Sequence, residues 1–174
     1  MIAIRTLLTL TLLLGAGYPL LVTGLAQMLF PWQANGSQLH AADGRLIGSA
    51  LLAQPFSGER YFVSRPSASN YASLGGSASN LGMSSPLRQE FAQQQAQQGF
   101  RDITLLTRSA SGIDPHLSVA AVQEQIERVA KARNMSPSQL QSMIKSRQES
   151  GILGPSVINV LELNLLLDKD YHAG

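Results

Sequence analysis

Hydrophobic positions are distributed unevenly along the chain. From residue 6 to residue 30 they are almost continuous, with Leu7, Leu8, Leu10, Leu12, Leu13, Leu14, Leu20, Leu21, Val22, Leu25, Met28 and Leu29. As a helix rising 1.5 Å per residue, Leu7 to Leu29 covers about 35 Å, more than the roughly 30 Å of bilayer hydrocarbon. The pattern predicts a short N-terminal segment (1–5), a transmembrane helix (6–30) and one domain (31–174). Arg5 and the amino terminus precede the span, and the next basic residue is Arg45. Flanking positive charge stays cytoplasmic. The expected topology therefore has the N-terminus in the cytoplasm and the domain outside, in the periplasm of a Gram-negative cell. A cleaved signal peptide is the competing reading, because Gly24-Leu25-Ala26 has the small residues a signal peptidase needs. The apolar run outlasts a signal core and continues past that site, which favours a retained anchor.

Within the span, Thr9, Ala16 and Thr23 recur every seven residues, with Gly17 and Gly24 beside them. Small residues let membrane helices approach closely, and they are also common in such helices generally. Pro19 is expected to bend the helix nearby. Phe30-Pro31-Trp32 closes the run, and the Phe30 and Trp32 rings suit the headgroup level.

Beyond residue 35 the periodicity changes. Short apolar runs at 46–52, 61–63 and 103–107 lie between turn formers and predict strands. Residues 64–81 read as a long irregular loop around Gly75-Gly76. Ser85-Pro86 starts a helix to Gln98 that stops at Gly99; its glutamines read as a solvated surface. Ser118 caps a helix with Val119, Val122, Ile126, Val129 and Ala130 on one face. Ser136-Pro137 opens the next, with Gln139 completing a capping box and Leu140, Met143 and Ile144 as its buried stripe. In the apolar stretch 157–168, Asn159 is placed to cap a helix to about Asp170. Glu162 and Asn164 there need hydrogen-bond partners if buried. The fold class is α+β: an N-terminal membrane helix and one mixed α/β domain.

Composition sharpens this picture. Only 14% of residues are charged, against roughly 25% in an ordinary soluble domain, and residues 6–42 carry no charged side chain. The chain has no cysteine, which removes disulfides, thiolate metal sites and a Cys nucleophile. A formal net charge of +2 is too small to argue for nucleic acid. The two late helices form a helix–turn–helix hairpin, but the second carries only Lys145 and Arg147. The three histidines are scattered without ligand spacing, so no metal site is expected. No phosphate loop or Gly-x-Ser-x-Gly elbow is present, and Asp168-Lys169 lacks the Thr-Gly-Thr that follows a phosphorylated aspartate. No catalytic residue is assigned. The candidate site is the turn at 109–115, where Ser109, Ser111, Gly112 and Asp114 precede Pro115. Its hydroxyls are suited to a phosphate or a partner's backbone, or it is a capped turn feeding the Ser118 helix.

Eight segments in register resemble one family. They are Tyr18-Pro19-Leu20, residues 30–37, Gly48-Ser49-Ala50-Leu51-Leu52, residues 61–68, Gly76-Ser77-Ala78-Ser79-Asn80-Leu81, residues 107–115, residues 128–133 and Val160-Leu161-Glu162-Leu163-Asn164. The family is that of the C subunit (KdpC) of the Kdp potassium-transporting P-type ATPase. The resemblance implies an accessory, non-catalytic subunit of an ATP-driven potassium importer in the bacterial inner membrane. It implies three partners: a channel-like potassium-binding subunit, a P-type ATPase subunit and a small membrane peptide. ATP and potassium would be used by the complex, with no cofactor assigned to this chain. It also implies a catalytic chaperone that raises the ATP affinity of the ATPase subunit. The alternative from another class is an independent membrane-anchored periplasmic enzyme or binding protein.

Overall fold

The computed structural model describes residues 1–41, 43–151 and 154–168, and the backbone of 172 and 173. The apolar run forms one continuous helical stretch, Ile2–Leu29, with none of its most apolar window buried. It is long and apolar enough to cross a membrane. It divides into α1 (Ile2–Leu12), a π-helical turn at Leu13–Gly17, and α2 (Tyr18–Leu29). The π turn lies immediately before Pro19, and the Tyr18 N–H reaches back to the Leu13 carbonyl. Proline has no N–H and its ring crowds the carbonyl four residues back, so a wider turn accommodates it.

The short helix α3 (Pro31–Ala34) joins this stretch to the domain. Asn35 exchanges hydrogen bonds with Gln27 at 3.3 Å and donates to the Pro31 carbonyl at 2.7 Å. The Ser37 N–H reaches the Trp32 carbonyl at 3.0 Å. Two three-stranded antiparallel sheets follow. The first has the order β2 (Leu46–Ser49), β1 (Gln38–His40), β6 (His172–Ala173). The second has the order β3 (His116–Ser118), β5 (Val157–Asn159), β4 (Gln148–Glu149). Leu117 faces Ile158 across the second sheet, and both are fully buried or nearly so.

A 3-10 turn (Ser73–Gly75) and helices α4 (Pro86–Gln97), α5 (Ile103–Leu106), α6 (Val119–Gln123), α7 (Ile126–Arg133), α8 (Pro137–Ser146) and α9 (Val160–Asp168) complete the elements of the described residues. The main core gathers Phe62, Leu105, Leu117, Val122, Val129, Leu140, Ile158 and Leu163. A second, smaller core sets Leu39, Ala50, Leu161 and Leu165 against Trp32, Ile47 and Phe56. Alternate faces of α9 thus serve both cores. The capping box at Ser136 and Gln139 is formed, and Ser118 accepts the Ala121 N–H at 3.0 Å.

Several expected elements differ. The run at 103–107 is a helix and not a strand. The Asp102 carboxylate accepts the Thr104 N–H at 2.8 Å and caps it. A short apolar run is ambiguous between the two states, and here the cap decides. The same carboxylate accepts the Ser118 hydroxyl at 2.9 Å, tying the starts of α5 and α6 together. The strand expected at 46–52 stops at Ser49. The helix expected from Ser118 breaks at Glu124 and Gln125; the Glu124 carboxylate accepts the N–H groups of Arg101 and Asp102 at 2.9 and 3.2 Å. The stretch 157–168 opens as strand β5 before Asn159 caps α9 by accepting the Glu162 N–H at 3.2 Å. Its expected end near Asp170 lies outside the described residues.

Residues 61–63 join neither sheet. Their backbone is paired by side-chain amides instead. Asn164 accepts the Phe62 N–H at 2.9 Å and donates to the Phe62 carbonyl at 2.8 Å. Gln125 does the same for Val63, at 2.8 and 3.3 Å. Arg128 then donates to the Tyr61 carbonyl and to Gln125 Oε1, at 3.0 and 2.9 Å. Two buried amides therefore do the work of a neighbouring strand.

Candidate functional site

The 109–115 turn sits against the 64–81 loop. The Ser109 N–H donates to the Pro66 carbonyl at 2.8 Å. Ser67 donates its hydroxyl to the Gly112 carbonyl at 2.6 Å, and the same oxygen accepts the Tyr71 N–H at 3.0 Å. Ser67 and Ser69 hydroxyls lie 3.2 Å apart, as do those of Ser109 and Ser111. Gly112 has φ +74, and its backbone passes so close to the loop that an added Cβ would stand 2.7 Å from the Ser77 carbonyl oxygen. On the other side, the Ala53 N–H donates to the Ile113 carbonyl at 2.9 Å.

The turn's donors are thus largely consumed internally. Ser109 is 2% exposed and its hydroxyl accepts the Gly112 N–H at 3.2 Å. Ser111 is exposed, and its oxygen accepts the Ile113 N–H at 3.3 Å. Sequence composition marks a turn, but it does not show that a loop some 45 residues away closes over it.

Asp114 lies between the Arg65 guanidinium and the His116 ring, each at 3.5 Å. It also accepts the His116 N–H at 3.0 Å. The His116 side chain is the first cause holding the Asp114 carboxyl below its ordinary range; burial opposes it, while the His116 N–H and Arg65 add to it. Asp114 likewise raises His116, against desolvation, with Glu149 at 3.9 Å and Glu162 contributing. A cleft of about 460 Å³ opens here, with Arg65, Ser111, Asp114 and His116 on its walls. Both carboxylate oxygens of Asp114 are engaged, Oδ2 by Arg65 and Oδ1 by the His116 ring and N–H, so the arrangement braces the turn.

The signs give a pH prediction. A raised His116 value means its pairing stabilises fully below the ordinary 6.5 and is lost as pH rises through the folded value. A lowered Asp114 value means its pairing is present above the ordinary 3.8 and is lost as pH falls through the folded value. Replacing His116 by Gln should therefore cost most thermal stability near pH 5.5 and little at pH 8.5. Equal melting losses at both pH values would refute the pairing.

The remaining candidate residues lie apart from this turn. Thr9, Ala16, Gly17, Thr23 and Gly24 are all exposed on the apolar helix. An added Cβ at Gly24 meets nothing within 4 Å, and at Gly17 only the Leu12 carbonyl at 3.7 Å. The helix itself therefore does not require these glycines. Phe30 is exposed, while Trp32 is half-buried on the smaller core and its indole N–H donates to the Gln38 carbonyl at 3.0 Å. Asp168 accepts the Tyr61 hydroxyl at 2.9 Å and pairs with Arg133 at 2.7 Å. Among the described residues, no group of three or more His, Asp or Glu side chains is placed to hold a metal ion. Sequence reasoning overlooked Arg65, Ser67 and His116. The repeated Ser-x-Ser of 67–69 and 109–111 was the available signal.

A family model described as "K+-transporting ATPase, c chain" matches residues 1–169. A protein of Pseudomonas aeruginosa strain PAO1, called potassium-transporting ATPase KdpC subunit, is 46% identical over 171 residues, covering 95% of this chain and 93% of its own length. One of the same description from Pseudomonas entomophila strain L48 is 47% identical over 173 residues, covering 96% and 92%. One from Pseudomonas syringae pv. tomato strain DC3000 is 43% identical over 173 residues, covering 96% and 91%. The matched span includes the apolar helix, the Phe30–Ser37 joint and the braced turn, and the chain belongs to the KdpC family, the C chains of K+-transporting ATPases.

Proposed function

We propose that this chain is a non-catalytic accessory subunit, held in the bacterial inner membrane with its N-terminus cytoplasmic and residues 31–174 outside. The observation that carries this reading is the exposed apolar helix Ile2–Leu29, with Arg5 in its first turns and no further basic residue before Arg45. Its partners are a channel-like potassium-binding subunit, a P-type ATPase subunit and a small membrane peptide. The face of Thr9, Ala16, Gly17, Thr23 and Gly24 takes a partner helix, and small side chains there permit close backbone approach. Phe30 and Trp32 mark the outer headgroup level. Asp114 and Asp168 are committed to structural pairs, so hydrolysis falls to the ATPase subunit. The chain then acts as a catalytic chaperone. With the domain outside and ATP inside, any gain in ATP affinity travels as coupling free energy through the complex.

Two measurements test this. A reporter that matures only outside the cytoplasm, fused after Gly174, should be active in cells, with residues 1–26 still present by mass. A cytoplasmic signal overturns the topology. The chain should also co-purify with the other subunits, and Gly17→Leu with Gly24→Leu should reduce that yield about tenfold while insertion survives. A chain that purifies alone is an independent anchored protein. Full yield with both leucines would show that this face meets lipid.

A further inference from the structure

A second cleft, of about 420 Å³, lies on the far side of Arg65 and Ser109 from Asp114. Three arginines line it: Arg65, Arg88 from the first turn of α4, and Arg108 beside the turn. Among the described residues, no Asp or Glu is on its walls. The Arg108 guanidinium sits 4.5 Å from the Phe91 ring centroid, which fixes its plane. Arg88 donates to the Met83 sulfur. Neither Arg88 nor Arg108 pairs with a carboxylate among the described residues. Arg65 reaches Asp114 with one nitrogen, while its buried Nε lacks an acceptor. Large apolar side chains stand bare beside the cleft, with Met83 80% and Leu87 63% exposed.

We propose that this cleft docks an acidic segment of a partner subunit, one carrying an Asp or Glu flanked by an apolar side chain. Guanidinium forks recognise carboxylates in two-pronged geometry. The exposed Met83 and Leu87 decide between occupants. Arg, Met and aromatic side chains together are the composition of a protein interface, and a free inorganic anion would leave both apolar residues uncovered. The inference rests on the accessory-subunit reading, since it needs a partner on the domain's side of the membrane.

The test uses the full chain assembled with its subunits. A photo-crosslinking residue at Met83 should label a partner subunit at a segment bearing Asp or Glu. Arg88→Gln with Arg108→Gln should lower retention in the purified complex about tenfold at low salt, with the difference from the wild type shrinking as salt rises. Exchanging the labelled carboxylate for Arg, together with Arg108→Glu, should restore it. If the arginine variants fail to fold, judged by melting of the chain in detergent, the crosslink alone decides. A crosslink to lipid only, to a segment without a carboxylate, or to nothing overturns the proposal. So does undiminished retention of a folded double variant. Retention that inorganic phosphate abolishes with no crosslink identifies a free-anion site and also overturns it. A wild-type chain that never co-purifies defeats the accessory reading, whereas failure confined to these residues defeats only the cleft.

Discussion

Replacing Asn164 with Leu should cost about 3–5 kcal/mol of domain stability, a large share of the roughly 5–15 kcal/mol that holds a domain folded. Asn164 is fully buried, and so is Phe62, whose N–H and carbonyl it satisfies. Leu keeps the branched shape with the same number of heavy atoms, though its methyl groups are bulkier, and gains apolar burial. It nevertheless leaves two backbone groups paired with nothing in the core, at about 1–3 kcal/mol each. Asp should fare no better. It would keep an acceptor for the Phe62 N–H but set a second oxygen against the Phe62 carbonyl, in a site with 0% exposure. The measurement is the denaturant midpoint of the full chain in detergent, with amide exchange at Phe62 as the local readout. A midpoint shifted by less than about 1 kcal/mol, with Phe62 still protected, would mean that the amide pair does not hold the 61–63 segment.

That network shows where sequence reasoning succeeds and where it stops. An Asn inside an apolar run announces a buried hydrogen-bonding need, and Asn164 has one. The run at 61–63 announces extended backbone with a buried Phe62. Nothing local says whether its partner is a strand or an amide side chain, because Gln125 and Asn164 lie 62 and 102 residues away. The late helices were legible because their caps are local: Ser118 and Ser136 bond within three residues. The helix at 103–106 was missed for the opposite reason. Its apolar run is too short to show a period, and only the Asp102 cap distinguishes it from a strand. At the candidate turn, residue types foretold the bend, while Asp114's partners are distant Arg65 and neighbouring His116. Arg65 lies in the 61–68 segment that resembles the family, and nothing local marks it as the partner of Asp114. The cleft of three arginines draws on positions 65, 88 and 108, a spacing with no periodic signature.

Gly112→Ala should loosen the braced turn far more than Gly99→Ala disturbs the end of α4, although both glycines have positive φ, at +74 and +96. Holding a residue with a side chain in that region costs about 1–2 kcal/mol. That cost is common to the two sites, and at Gly99 it is the whole effect, because an added Cβ there meets nothing within 4 Å. At Gly112 the methyl would stand 2.7 Å from the Ser77 carbonyl oxygen and 2.8 Å from the Ser69 hydroxyl. One of these is backbone and cannot rotate away. The 64–81 loop must lift, and the 2.6 Å bond from Ser67 to the Gly112 carbonyl goes with it. Overall we expect about 2–4 kcal/mol of local destabilisation from strain, clash and lost hydrogen bonding. The main core is untouched, so the midpoint of global melting should fall less than limited proteolysis within 68–82 accelerates. Arg65 should lose its hold on Asp114 and the arginine cleft its shape, while the membrane helix stays inserted. Proteolysis of the two variants side by side is the measurement. If Gly112→Ala is cut no faster than Gly99→Ala, the close approach of the turn to Ser77 does not hold the loop.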